Sequence, residues 1–122
     1  MSHYSTIKTK FKYRAELILA LQEMYGKNLI EVSDRNDIKM NGFYGNETQN
    51  AEIVARLKGK EAMADVGFIK GPDGMYETIM DGTYLLKRIV AAYAEVVIKT
   101  RLPRKYQVLE NNGNEITIKQ LY

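Results

Sequence analysis

The sequence predicts an α+β fold: a two-layer sandwich with a mainly antiparallel sheet and two helices, in the order β-α-β-β-β-β-α-β-β. Three observations carry this. Strand-like runs at residues 64–70 and 75–80 are joined by Gly71-Pro72-Asp73-Gly74, and runs at 106–110 and 115–121 by a turn containing Asn112-Gly113. Such turns join neighbouring strands antiparallel. Two segments, 14–25 and 83–101, carry apolar residues at helical spacing, enough to cover one face of a sheet. The 122 residues with 45% apolar content describe one ordinary domain, which can bury roughly two thirds of its surface on folding.

Residues 4–11 alternate polar and apolar side chains and open the fold as a strand. Lys8, Lys10, Lys12 and Arg14 are spaced by two, which in a strand puts them on one face, with Ile7, Thr9 and Phe11 on the other. Such a strip either solvates an edge or faces phosphate. From Arg14 to Tyr25, the residues Leu17, Ile18, Leu21, Met24 and Tyr25 repeat with helical period, and Gly26 closes the helix. A short strand is expected at 29–32, then a turn-rich SDRND loop.

Residues 38–50 contain GFYGNETQN and read as loop, the place where a functional surface is most easily built. Ala51–Lys58 reads as one strand, with Ile53, Ala55 and Leu57 on one side and Glu52, Val54 and Arg56 on the other. Thr83 is placed to cap the long helix. Leu85, Leu86, Ile89, Val90, Tyr93, Val96 and Val97 form its core-facing stripe, and Pro103 ends it.

The inventory of reactive side chains is narrow. With no cysteine and one histidine, His3, the chain has neither a thiol nucleophile nor a thiolate or multi-histidine zinc site. A serine triad would need a histidine two residues from the terminus. Nine tyrosines and eighteen lysines and arginines, for a net charge of +3, suit a ligand that is anionic and has a planar part. The leading expectation is therefore a non-enzymatic protein that binds a small anionic ligand, a nucleotide or cyclic nucleotide.

The candidate contacts are His3, Tyr4, Lys8, Tyr44, Arg56, Arg88 and Tyr93. Tyrosines supply stacking faces, arginines the planar fork that matches phosphate, and His3 would tie affinity to pH near neutrality. Tyr93, inside the apolar stripe, reads first as core, with a hydroxyl that needs a partner. Gly42, Gly45, Gly67, Gly74 and Gly113 read as turn or close-packing positions; Asn41–Asn46 could also let phosphate approach the main chain. Carboxylates Glu61, Asp65, Glu77 and Asp81 surround the central hairpin, but their spacing resembles no calcium loop.

The opening Met1-Ser2-His3-Tyr4-Ser5-Thr6-Ile7-Lys8-Thr9-Lys10 resembles the start of a small uncharacterised family encoded in algal plastid, cyanobacterial, other bacterial and phage genomes. Gly42-Phe43-Tyr44-Gly45, Ala51-Glu52-Ile53-Val54, Asp65-Val66-Gly67-Phe68, Gly74-Met75-Tyr76-Glu77, Asp81, Arg88-Ile89 and Tyr93-Ala94 resemble its further elements, in order. Leu102-Pro103-Arg104 and the terminal Tyr122 depart from it. The family is a domain of unknown function, so the resemblance implies length and fold more than activity. Its phage members suggest, by analogy of size and context, a sponge for immune signalling nucleotides.

No cofactor and no metal are expected, and the apolar runs are too short for a membrane span. The chain is expected to be cytoplasmic and homo-oligomeric. A protein-interaction adaptor is the alternative reading, and an RNA- or DNA-binding module a third.

Overall fold

Two short β-strands with alternating apolar side chains, Val66–Lys70 and Tyr76–Met80, form the centre of the fold. The computed structural model describes residues 4–42, 48–60, 62–101, 106–111 and 116–120, with only the backbone described at 48, 106–111 and 116–120. The elements are β1 (Ser5–Phe11), α1 (Arg14–Tyr25), a 3₁₀ turn (Lys27–Leu29), β2 (Ile30–Val32), β3 (Ile38–Asn41), β4 (Thr48–Ala51), β5 (Ile53–Ala55), β6 (Val66–Lys70), β7 (Tyr76–Met80), α2 (Leu86–Arg101), β8 (Tyr106–Asn111) and β9 (Ile116–Gln120). The main sheet is five-stranded, in the order β1-β7-β6-β5-β2. Every pairing in it is antiparallel. The α+β class with two helices therefore holds.

The two faces of this sheet bury different clusters. Ile30, Ile53, Ala55, Val66, Phe68, Tyr76 and Met80 meet Leu17 and Leu21 of α1 and Ile89 of α2 on one face. Val54 and Ile79, on the alternate positions, meet Met40 and Ala51 on the other. A fully buried side chain of this size stabilises by about 1.5–3 kcal/mol, so both faces contribute.

The second face corrects the expected element order. Residues 38–50 read as loop by composition, yet Ile38–Asn41 and Thr48–Ala51 pair as an antiparallel ribbon. The cause is a period-two pattern, Ile38-Lys39-Met40, that buries Met40 against the sheet. The observed order is β-α-β-β-β-β-β-β-α-β-β. Gly67 makes the approach of the ribbon possible. A Cβ built there would lie 2.9 Å from the Cβ of Ala51 and overlap the sulfur of Met40, so this glycine serves close packing. Gly74 instead has φ +82° and serves the β6–β7 turn. Gly42 is buried after β3 and is not among the described glycines with positive φ. Gly45 and Gly113 lie outside the described residues.

The 51–58 run is not one strand. Glu52 interrupts it, so 48–51 pairs with β3 while 53–55 pairs with β2 and β6. The lysine strip is also broken. Between Ile7, opposite Thr78, and Phe11, opposite Tyr76, β1 bulges. Lys10 there takes φ +59°, and Arg14 already belongs to α1. A bulged, lysine-bearing outer strand resists pairing with another sheet edge.

Helix α1 buries Leu17, Ala20 and Leu21 at the expected spacing, and Gly26 ends it at φ +97°. Helix α2 begins at Leu86. Thr83 contributes its carbonyl, which accepts from the Leu86 N–H at 3.1 Å, rather than serving as the residue flanking the first helical turn. Val90 falls off the buried stripe and is exposed.

The helices are pinned together by Glu16, which is buried. Its carboxylate accepts from the Arg101 guanidinium and, at 3.2 Å, from the Thr100 hydroxyl. The Arg101 hydrogen bond holds the Glu16 carboxyl below its ordinary 4.5, against burial, which acts the other way. A folded-state value below the unfolded one means the contribution is complete above the unfolded value and is lost as pH falls through the folded one. Thermal unfolding of the wild type should therefore lose stability below pH 4.5 more steeply than that of Glu16→Gln. Parallel curves for the two proteins would contradict this role.

Candidate functional site

The β6–β7 hairpin brings two chain segments to one end of the sheet. Gly67 at the start of β6 pairs with Ile79 near the end of β7, so the loop before β6 and the segment after β7 lie side by side. Between them opens a groove of about 570 Å³, lined by Gly59, Lys60, Ala62 and Met63 from one and Asp81, Gly82 and Tyr84 from the other. That volume lies within the usual range for small-molecule sites, about 300–1,000 Å³.

Both walls are shaped by backbone constraints. Gly59 has φ +79° and Gly82 φ +78°, conformations that favour glycine. The first wall is a tight turn. The Gly59 N–H donates to Ala62 O at 3.0 Å, and the Lys60 and Ala62 N–H groups donate to Leu57 O at 2.9 and 3.1 Å. The Met63 N–H reaches the Tyr84 hydroxyl across the groove at a long 3.4 Å. Met63 and Tyr84 are 59% and 58% exposed, whereas Leu57, Ala62 and Leu85 beneath belong to the buried core. An aromatic ring and a thioether are thus exposed beside residues of the buried core.

The two charged side chains described in the groove are Lys60 and Asp81. Among the described residues the ion pairs are Arg14–Glu52, Arg56–Glu31, Arg56–Asp65 and Arg101–Glu16, and neither Lys60 nor Asp81 takes part. Among the described residues no group of three or more acidic or histidine side chains is placed to hold a metal. Nor is any helix among them long and apolar enough to cross a membrane.

Among the described residues, those expected to bind ligand do not line this groove. Arg56 donates to Asp65 at 2.9 Å, to Lys39 O at 2.6 Å and to Glu31. Those carboxylates raise its pKa, although burial, the largest single influence, acts to lower it. Tyr4 donates to Asn41 O at 2.6 Å on the same side of the sheet. Both therefore brace β3. The Tyr93 hydroxyl accepts from the Lys12 and Tyr13 N–H groups at 3.0 Å, and its ring packs edge-on against Phe11 at 4.8 Å. This is the core reading of Tyr93.

Arg88 and Lys8 are exposed. Arg56 faces β3 and α2 packs on the other face of the sheet, so Arg56 and Arg88 do not converge. His3 and Tyr44 lie outside the described residues. Glu52 and Tyr76 were not singled out by the sequence reading. Buried Glu52 accepts from Arg14 Nε at 3.0 Å and from the Tyr76 hydroxyl, which burial and this carboxylate push up to about 12. This cluster is closed by its own partners.

Comparison with family models, with curated proteins and with solved structures found no match. The assignment of this groove rests on geometry alone.

If Arg56 is a brace, its loss is felt without any ligand. Arg56→Ala leaves the almost fully buried Asp65 without its cation, and the wild type should be more stable by about 3 kcal/mol, a typical magnitude for breaking such a pair. Urea denaturation checks this. Unchanged stability would return Arg56 to the list of ligand contacts.

Proposed function

We propose that this protein binds a small anionic ligand with a planar ring, a nucleotide in the first instance, and that the groove of Lys60, Asp81 and Tyr84 is the site. One observation carries the reading: an exposed tyrosine ring, a lysine and a carboxylate, the last two without ion-pair partners among the described residues, line a single groove of nucleotide size. Stacking on Tyr84 would hold the ring and Lys60 the phosphate, which suits retention of a ligand more than its conversion. The expected chemistry is kept and its location moves, from Tyr4, Arg56 and Tyr93 to the end of the sheet.

Retention without turnover is what a sequestering protein requires. We propose sequestration of a signalling nucleotide as the role this activity would serve, with an assembly of identical chains offering several grooves. The exposure of Met63 and Tyr84 also favours a second reading, a docking face for a protein partner. The two differ in whether an isolated small molecule binds.

Titration calorimetry with mononucleotides should give saturable binding, weakened about tenfold or more in Tyr84→Ala, as expected from loss of one stacking face. Tyr84 is mostly exposed, so the variant should fold as the wild type does. Absence of binding by every mononucleotide at millimolar concentration would overturn the nucleotide reading and leave the docking face.

A further inference from the structure

Asp81 sets a requirement on the ring that lies against Tyr84. Lys60 accounts for an anionic group, but a carboxylate in the same groove repels one, so the ligand must bring hydrogen-bond donors to that wall. Among the described residues the other carboxylates of the structural nodes are spent: Glu16 on Arg101, Glu52 on Arg14 and Tyr76, and Asp65 on Arg56 and two main-chain N–H groups. Asp81 has no such engagement there. It is half-buried, so leaving it unpaired beneath a bound ring would cost more than in open solvent.

The nucleobases differ in what they offer a carboxylate. A carboxylate presents two acceptor oxygens side by side and is best satisfied by two parallel donors. The guanine edge carries a ring N–H next to an exocyclic amine, which is that pair. Adenine and cytosine present an amine beside a ring nitrogen that accepts, and this lone pair would face an oxygen of like character. Hypoxanthine keeps the ring N–H but has a C–H where guanine has the amine, and uracil flanks its ring N–H with two carbonyl oxygens.

Resting on the nucleotide reading above, we infer that the groove selects a guanine base through bidentate hydrogen bonds to Asp81, with the ring on Tyr84 and the phosphate at Lys60. Gly82 supports this arrangement. Its φ of +78° turns the chain between Asp81 and Tyr84, and a Cβ there would touch the Tyr84 ring at 3.4 Å, so the ring lies close along the main chain.

The test is competition calorimetry of GMP, IMP, AMP, CMP and UMP against the wild type and Asp81→Asn. IMP differs from GMP only by the exocyclic amine, and GMP should bind about tenfold tighter, the usual factor for one hydrogen bond to a charged group. Asp81→Asn replaces one acceptor with a donor and should erase that preference while retaining binding of AMP. Matching circular dichroism of the two proteins shows that the variant folds.

Equal affinities for all five nucleotides in the wild type would overturn the guanine inference but leave nucleotide binding intact. So would a GMP preference unchanged in Asp81→Asn. Binding of none of the five would overturn both.

Discussion

Asp65 is the interaction on which the geometry at this end of the sheet depends. Only 2% exposed, it receives the Asn41 N–H and Arg56 at 2.9 Å and the Lys58 N–H at 3.2 Å, while its own N–H donates to Asn41 O. One side chain thereby ties the end of β3 to both ends of the loop that forms a wall of the groove. A buried carboxylate is costly unless its oxygens are filled, and here three donors fill them. The arginine that carries the compensating charge is consequently held by structure.

Glu52 applies the same logic at the other end of β5. It stands where the chain leaves the ribbon for the main sheet, and its main-chain N–H still donates to Phe68 O at 3.0 Å. Its side chain turns to Arg14 and Tyr76, so the first residue of α1 is fixed to the sheet through a charge pair. A cation in a first helical turn opposes the helix dipole, and the Glu52 carboxylate offsets that. Two carboxylates, each at a break in strand pairing, therefore hold helix, sheet and ribbon in register.

Much of this architecture was legible in the sequence, because it follows from local patterning. The helical period through Leu17 and Leu21, the turn at Gly71–Gly74 and the glycine after Tyr25 each specify an element without help from distant residues. The β3–β4 ribbon was not legible in that way. Its polar composition masks a short alternation whose meaning depends on Gly67, a residue some 27 positions beyond Met40, leaving room for a sulfur. The partners of Arg56 and Tyr93 were hidden for the same reason: Asp65, Glu31 and the Lys12–Tyr13 main chain lie apart from them in sequence. The groove did leave a signal. Once β5, β6 and β7 are read as a meander, 59–63 and 81–84 must meet at one end, and both contain a glycine beside a charged residue.

The central claim is that ligand contact and structural bracing use different residues in this protein. An ¹⁵N–¹H NMR titration with GMP addresses it directly. The account predicts that the largest shift changes fall on the amides of Gly59, Lys60, Met63, Gly82 and Tyr84, with those of Tyr4, Arg56 and Tyr93 nearly unmoved. Changes concentrated on Tyr4, Arg56 or Tyr93, with the groove silent, would contradict it.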